Sequence, residues 1–579
     1  MKCIIAKSSG FCMGVRRAVE MALSTSNEQE GPVYTYGPLI HNPQVLNALE
    51  EKDIRILDKV PECGNGKVLI RAHGVPPELK QKLTNAGFDT IDATCPRVLR
   101  IQSIIKRFAI RKHAIIIVGD RNHPEVIGLL GYADGNGYVV NGVEQIRSLP
   151  AFEKAIVVAQ TTQNIHDFQE LLAWIQKHRP HYNIFETICD STEKRQTEIE
   201  RLSQSVDAVV VVGGHGSGNT CRLAEIAGKS GKPVFHVETE EDFDKIDLDR
   251  LRYASSVGIT AGASTPNWVI KKVCQALEGI AHKHKPSWRS LLKEIQRILL
   301  MTNLYVALGA GCLTYTCAQL VGVSSSWLYV ALSALYLQSM HLLNNLTGSK
   351  ADRHNAPDQA IFYERNRTLL SLTAIVTGIA GLLVAFTLGV NHFLLMLIMT
   401  ALGVCYNLRI FPRLSPALRI RRIKDVPGSK TILISMAWGI LAAAMPLLGE
   451  RESLAGAHLL LFIWSSGLVF ARTAFFDVLD MQGDRFVGKE TIAILLGERR
   501  MMAVLAVITV LLSVILPIAS ALDWIPSLGY LLVICPVFML LILQMYRRGY
   551  LRPGLRLEFL VETIFVLAGV IAVLRQVSM

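Results

Sequence analysis

"GFCMGVRRAVEMA", residues 10–22, sets a single cysteine between two glycines and directly ahead of a helical repeat. Upstream of it "KCIIA" reads as a strand and "SSG" as a breaker, and "VRRAVEMAL" returns its apolar residues at helical spacing, so Cys12 stands at a strand-to-helix turn. A thiol at a helix N-terminus near Arg16 and Arg17 has its thiolate form favoured by the dipole and by the positive charges. That is the setting of a metal ligand or a nucleophile; the bland alternative is a small buried hydrophobe.

The same alternation continues outward to about residue 280. Short apolar runs such as "AIIIVGD", "AIVVAQTT" and "AVVVVGGHG" are interleaved with helical patterns, which predicts an α/β domain of parallel strands. Cys95 in "IDATCPRV" and Cys189 in "ETICDSTEKRQTEIE" repeat the placement of Cys12, each at a strand end before a helix. Their spacings of 83 and 94 residues predict three similar α/β units, each delivering one cysteine toward a common centre. Three converging thiolates make a metal site. Zinc is the default for scattered cysteines, although its catalytic sites usually include histidine or carboxylate; a cubane iron-sulfur cluster on three cysteines keeps one iron open to substrate.

From about residue 298 the pattern changes to successive apolar runs near 20 residues long, each long enough to cross a bilayer. The 579-residue chain therefore divides into an α/β domain over 1–280, a basic linker over 281–297 and an all-α membrane domain over 298–579. Nine spans are expected, near 299–321, 327–343, 368–388, 391–408, 430–448, 455–475, 501–521, 526–545 and 557–575. "MKCIIAKSSG" lacks the apolar core of a signal peptide, so the first domain is expected in the cytoplasm and the whole as a multi-pass protein of the inner (cytoplasmic) membrane. The formal charge of +12 does not point to nucleic acid, because basic residues of the second half cluster in alternate loops, where they set topology. The clusters are Lys350 to Arg367, Arg409 to Lys424, Arg485 to Arg500 and Arg547 to Arg556, which puts the carboxyl terminus outside. The linker "AHKHKPSWRSLLKEIQRILL" is basic and partly amphipathic, suited to a lipid surface or to a plain solvated connection. Eleven cysteines without CxxC pairs, four of them in the membrane region, argue against a disulfide framework.

Polar motifs between the three cysteines indicate an anionic substrate. "GPLIHNPQV" supplies His41, "RAHGVPPE" His73, and "RNHPEVIGLLGY" His123 with Glu125, all in loops after apolar strands. "AVVVVGGHGSGNTCRLAEIA" is strand, glycine-rich loop and helix, where backbone amides, Ser217 and Asn219 can cradle phosphate oxygens. It matches neither GxGxxG nor a P-loop, and "TAGASTPNWVI" adds Ser264 at another strand end.

In order, GFCMGV, GPLIHN, AHGVPP, DATCP, HPEV, AQTT, TIC, SGNTxRL and TAGASTP resemble the 4-hydroxy-3-methylbut-2-enyl diphosphate reductase (IspH/LytB) family. That resemblance implies three α/β domains around a [4Fe-4S] cluster on Cys12, Cys95 and Cys189. It further implies diphosphate binding by His41, His73, His123, Ser217, Gly218, Asn219 and Ser264, and proton handling by Glu125 with Thr161. The implied reaction is reductive dehydroxylation of the substrate to isopentenyl and dimethylallyl diphosphate, the last step of the non-mevalonate isoprenoid pathway. No flavin or nicotinamide motif is visible, so electrons are expected from an external ferredoxin or flavodoxin. Where relatives often carry Lys-Asn-Ser-Ser, this chain has His215, Gly216, Ser217 and Gly218.

In the membrane half, "FFDVLDMQGDRFVGKETI" places Asp477, Asp480 and Asp484 at helical offsets, the last two one turn apart and suited to bridging Mg²⁺ to a diphosphate. The stretch resembles the second aspartate motif of the UbiA family of intramembrane prenyltransferases, and "RIKDVPGSKTILISMAWG" resembles a loop-to-helix segment of some branches. The family's first motif, NDxxDxxxD, aligns with "NNLTGSKAD", which keeps Asn344 and Asp352 as magnesium-site residues but has Asn345 and Gly348 at two usual aspartates. The sequence thus predicts a reductase fused to a Mg-dependent prenyltransferase. The alternatives are an active reductase on an inactive anchor or lipid-binding module, and a diphosphate-binding redox sensor without turnover.

Overall fold

The computed structural model describes residues 2–28, 31–246, 249–282, 288–323, 326–347, 355–406, 423, 426–448, 455–487, 490–551 and 553–578. Two compact units divide the chain, Met1–Lys285 and Pro286–Met579.

In the first unit, β1 (Lys2–Ile5) opens the chain, and two sheets follow in sequence. β2 (Val33–Tyr36), β3 (Ile54–Leu57), β4 (Lys67–Ile70) and β5 (Asp89–Asp92) lie in the order β3-β2-β4-β5. β6 (Ala114–Val118), β7 (Gly137–Val140), β8 (Ala155–Ala159) and β9 (Asn183–Phe185) lie in the order β7-β6-β8-β9. β10 (Ala208–Val212), β11 (Val234–Val237) and β12 (Ser256–Ala261) join β1 in the order β1-β12-β10-β11. Every pairing is parallel. The uninterrupted runs "AIIIV", "AIVVA" and "AVVVV" are the interior strands β6, β8 and β10, buried at every residue as a sheet covered on both faces requires. Edge strands are more polar, as in "DTID" of β5.

The threefold pattern of cysteines acquires a definite topology here. β1, β5 and β9 are each the edge strand of a different sheet, and each leads into one of the three cysteine-bearing turns. The first unit of the three is discontinuous: β1 pairs with β12, Lys2 opposite Ser256, so the two ends of this domain close one sheet.

The second unit is helical. Among the described residues, seven helical stretches are long and apolar enough to cross a membrane: Leu304–Val321, Arg367–Leu388, Ser429–Leu447, Gly456–Phe486, Glu498–Ala521, Leu528–Arg547 and Leu555–Val577. The count of nine is not reproduced by that measure, although the other two expected positions are helical. Val390–Cys405 has 16 residues, about 24 Å at 1.5 Å per residue, and is short for a full crossing. Ser326–Leu346 is long enough, but its polar Ser333, Gln338 and Ser339 are buried against neighbouring helices and dilute its hydropathy. Pro446 cannot donate within its helix, and the preceding turn widens to a π-helix over Ile440–Ala444. Histidines take up carbonyls there: His458 Nδ1 lies 2.9 Å from Ala443 O and His392 Nε2 3.2 Å from Met445 O. Much of the stretch expected as a linker, 281–297, is helical: 281–282 end the helix Asn267–His282 of the first unit, 288–297 lie in the helix Trp288–Met301 of the second, and 283–287 lie outside the described residues.

Candidate active sites

Every site residue expected in the first unit lies beyond the carboxyl end of a parallel strand, where side chains from separate βα turns can converge. Cys95 and Cys189 are the N-caps of the helices Pro96–Ile110 and Asp190–Ser205, and Cys12 immediately precedes Met13–Glu28. The Val15 N–H points at Cys12 Sγ, 3.5 Å away, so the helix terminus does face this sulfur. Gly14 allows the Cys95 turn to approach: a Cβ there would meet Cys95 Sγ at 2.5 Å. The thiols act on one another electrostatically, for Cys95 is pushed up chiefly by burial and further by Cys12 and Cys189.

Arg17 holds the Thr94 carbonyl, 2.9 Å from its Nη1, one residue before Cys95. A further cation lies beside the sulfurs: Arg195 is buried, anchored to the carbonyls of Ala261 at 3.0 Å and Gly10 at 2.6 Å, and within the field of Cys12 and Cys189. Its Nε is buried without a hydrogen-bond partner. Among the described residues, two groups bring three ligand atoms within 4.8 Å of one another, as one ion would require: His41–His73–His123 and Cys3–Cys274–Glu278. Cys12, Cys95 and Cys189 are not such a group, and three wider-set thiols with a buried guanidinium donor fit a multinuclear anionic cluster better than a single ion.

The three histidines cluster tightly, with ring centroids 4.8 Å (His41–His73), 5.4 Å (His73–His123) and 6.0 Å (His41–His123) apart. Burial holds all three below the usual imidazole range, His123 at about 4, helped by mutual repulsion and by Arg71. His123 caps the helix Pro124–Leu130, its Nδ1 accepting the Glu125 N–H at 3.1 Å. That bond fixes the neutral ring with its proton on Nε2, a hydrogen-bond donor and not a metal ligand. His41 Nε2, His73 Nδ1 and Asn219 Nδ2 are buried without protein partners, which leaves polar groups for an oxygen-rich ligand to satisfy.

The β10 turn closes around the same place. Ser217 caps the helix Gly218–Gly228, accepting the Thr220 N–H at 3.4 Å; a Cβ on Gly218 would meet the His123 ring at 3.6 Å. Ser264 Oγ donates to the His41 carbonyl at 3.0 Å. Glu125 is 2% exposed and is held by Thr161 alone at both oxygens: the Thr161 N–H donates to Oε1 and its hydroxyl to Oε2, each at 2.7 Å. Burial raises the Glu125 carboxyl, and the Thr161 bonds and Arg222 oppose that rise. Arg222 itself is fixed by the Thr162 carbonyl at 2.7 Å and by Asp120 at 2.9 Å.

Relatives fix the lineage of this unit. The model of the LytB protein family matches residues 3–278. The 4-hydroxy-3-methylbut-2-enyl diphosphate reductase of Opitutus terrae is 40% identical over 292 residues, spanning 48% of this chain and all of the relative. The chain belongs to the LytB family. The reductase of Thermoanaerobacter sp. (strain X514) is 42% identical to the LytB unit over 283 residues, 48% of this chain and 96% of the relative. The model of the UbiA prenyltransferase family matches residues 307–561, so a second family's domain follows the LytB unit. Similar solved structures include the E-1-hydroxy-2-methyl-but-2-enyl-4-diphosphate reductase from Plasmodium falciparum (26% identity, 47% of this chain, 87% of that chain, TM-score 0.45). A UbiA homolog from Aeropyrum pernix K1 is 16% identical over 47% of this chain and 98% of its own, with a TM-score of 0.38.

In the UbiA unit, Asp477, Asp480 and Asp484 lie on the helix Ala455–Val487. Asp477 is buried and accepts the Thr431 hydroxyl at 2.5 Å; Asp484 is buried and accepts Asn355 Nδ2 at 3.0 Å. Asp480 is half-buried between them along the chain. The three carboxylates do not form one close ligand set among the described residues, because Asp477 and Asp484 are each engaged by a different element. Of the first motif, Asn344 is half-buried and Asn345 Nδ2 is tied to the Tyr363 hydroxyl at 3.2 Å. Asp352, Gly348, Lys350, Arg353, Lys489, Arg552 and most of the expected 409–424 loop lie outside the described residues.

Proposed function

We propose that the LytB unit converts 4-hydroxy-3-methylbut-2-enyl diphosphate to isopentenyl and dimethylallyl diphosphate, consuming two electrons and two protons and releasing water. The observation that carries this reading is the meeting of a buried, doubly held carboxyl with three neutral histidines at the strand ends of a chain whose relatives carry that name. A [4Fe-4S] cluster on Cys12, Cys95 and Cys189 would supply the electrons and an open iron as Lewis acid. The histidines, Ser217, Asn219 and Ser264 bind and orient the diphosphate. Glu125, whose carboxyl burial pushes above the usual carboxylate range, delivers the proton that lets the hydroxyl leave as water. Thr161 holds that carboxyl in position, and Arg222 fixes the Thr162 and Asp120 backbone and side chain around it. Electrons come from an external ferredoxin- or flavodoxin-type donor.

The UbiA unit, in this reading, transfers a prenyl group from its diphosphate to an acceptor in the membrane, with Mg²⁺ held by Asp477, Asp480 and Asp484 and by Asn344 and Asp352. The helix end bearing these residues faces the cytoplasm of an inner-membrane protein, on the same side as the reductase. Nine spans carry it, with Trp288–Met301 lying on the lipid surface: its Trp288, Leu291, Ile295 and Ile298 are exposed at helical spacing. A second reading, an anchor without transfer activity, is favoured by the capture of Asn345 by Tyr363 and by the separate engagement of Asp477 and Asp484.

The test is turnover by the full chain, purified anaerobically in detergent. With a chemical reductant and 4-hydroxy-3-methylbut-2-enyl diphosphate, the two five-carbon products are expected by mass spectrometry. Membranes given labelled prenyl diphosphates of several lengths and a panel of acceptors are expected to yield a labelled lipid. The first result without the second leaves the anchor reading; absence of the five-carbon products from iron-replete protein refutes the reductase.

A further inference from the structure

Away from the histidine and cysteine turns, Cys3, Cys274 and Glu278 bring two thiol sulfurs and a carboxylate oxygen within 4.8 Å of one another. Cys3 lies on β1, opposite Val257 of β12, and Cys274 and Glu278 lie one turn apart on the helix Asn267–His282, so both face the same strand. We propose that these three side chains bind a thiophilic divalent cation of the zinc class, which ties the last helix of the LytB unit to its first strand.

The donor set selects the metal. Two thiolates and one carboxylate suit a borderline-soft ion that accepts tetrahedral geometry, whereas magnesium or calcium would require oxygen ligands throughout. Zinc–sulfur bonds of about 2.3 Å in a tetrahedron put sulfurs about 3.8 Å apart, inside the observed limit. No disulfide joins the described cysteines, and a zinc-class ion binds such sulfurs as thiolates, displacing their protons. Glu278 is exposed, which gives an ion a path from solvent and leaves a fourth position for water.

The tie has a structural consequence. β1 is an edge strand of four residues whose strand partner is β12, and the chain leaves it directly for the Cys12 turn. A short strand held on one side frays readily, and a metal bridge to the packed helix would hold the base of that turn. The two metal sites differ in ligands, so their occupancies are separable.

The experiment uses the full chain in detergent, with its iron retained, dialysed against Zn²⁺ alone and freed of excess by gel filtration. The expected result is one zinc per chain, with absorption at the zinc edge reading two sulfur neighbours near 2.3 Å and oxygens near 2.0–2.2 Å. Cys274→Ser and Cys3→Ser should each lower retained zinc on the order of tenfold or more while iron content is unchanged, and Cys63→Ser should leave it alone. Should the cysteine variants fail to accumulate, Glu278→Gln at the exposed end should still weaken retention about tenfold. Three sulfur neighbours around zinc, zinc lost on Cys12→Ser instead of Cys274→Ser, equal retention in wild type and Glu278→Gln, or a Cys3–Cys274 disulfide found by mass would each overturn the site.

Discussion

Thr161 grips Glu125 at both carboxylate oxygens, through its backbone N–H and through its hydroxyl, at 2.7 Å each. A carboxyl 2% exposed would ordinarily be driven far toward its neutral form; two donors from one residue restrain that drift and set its direction in the site. In the proposed reaction the pair sets where that proton sits and over which pH range it can be given.

Glu125→Gln retains shape and hydrogen-bonding capacity but cannot give up the same proton. Turnover should fall by roughly 10²-fold or more with the cluster spectrum unchanged. Thr161→Val removes the hydroxyl donor that favours the ionised carboxyl, so the Glu125 pKa rises further. Because the acid form is the active one, the alkaline limb of the pH–rate profile should move to higher pH, with a loss of about tenfold in rate from the missing anchor. An unmoved alkaline limb would remove Thr161 from control of that proton.

The histidines give a second pH effect with its own sign. In the ligand-free protein their pKa values are lowered, His123 to about 4, so at neutral pH the three are uncharged. A diphosphate beside them favours the charged form and raises those values, so binding takes up protons between the free and bound pKa values. Affinity should strengthen as pH falls from about 7.5 to 6, and calorimetry in buffers of different ionisation enthalpy should show net proton uptake. His73→Gln should weaken binding by roughly 10- to 100-fold, the worth of a hydrogen bond to a charged ligand. Proton release on binding would contradict the neutral trio.

Much of this was readable in the chain and some was not. The runs that became β6, β8 and β10 announce interior parallel strands by being apolar throughout, and the cysteines and histidines announce themselves by following strands. The pairing of β1 with β12 leaves no local trace, because it joins residues some 250 positions apart. Arg195 was hidden for a different reason: "STEKRQTEIE" is as polar as a solvated helix, yet its helix turns that guanidinium onto the Ala261 and Gly10 carbonyls. Arg71 and Asp120 follow apolar strands as the histidines do, and that placement was the available signal. Asn355, which holds Asp484, lies outside the motif pattern that drew attention to its neighbours.

Cys12, Cys95 and Cys189 each come from a different sheet, so no two can substitute for the third. Anaerobically prepared protein should be brown and carry about four irons, and replacing any one cysteine with serine should destabilise the cluster. Arg195→Met, which removes the buried cation beside the sulfurs, should lower the cluster's reduction potential measurably by spectroelectrochemistry, since a more negative surrounding opposes reduction. Equal iron and activity in Cys12→Ser would refute the ligand assignment.

Whether the chain holds two independent active sites is decided by a reciprocal pair of variants. Membranes bearing the full chain with Glu125→Gln or Asp480→Ala are assayed side by side for five-carbon diphosphate formation and for prenyl transfer to lipid acceptor. With two independent sites, Glu125→Gln should lower the first by roughly 10²-fold or more and spare the second, and Asp480→Ala should abolish the second and spare the first. Prenyl transfer at the wild-type rate in Asp480→Ala, or reduction at the wild-type rate in Glu125→Gln, would contradict it.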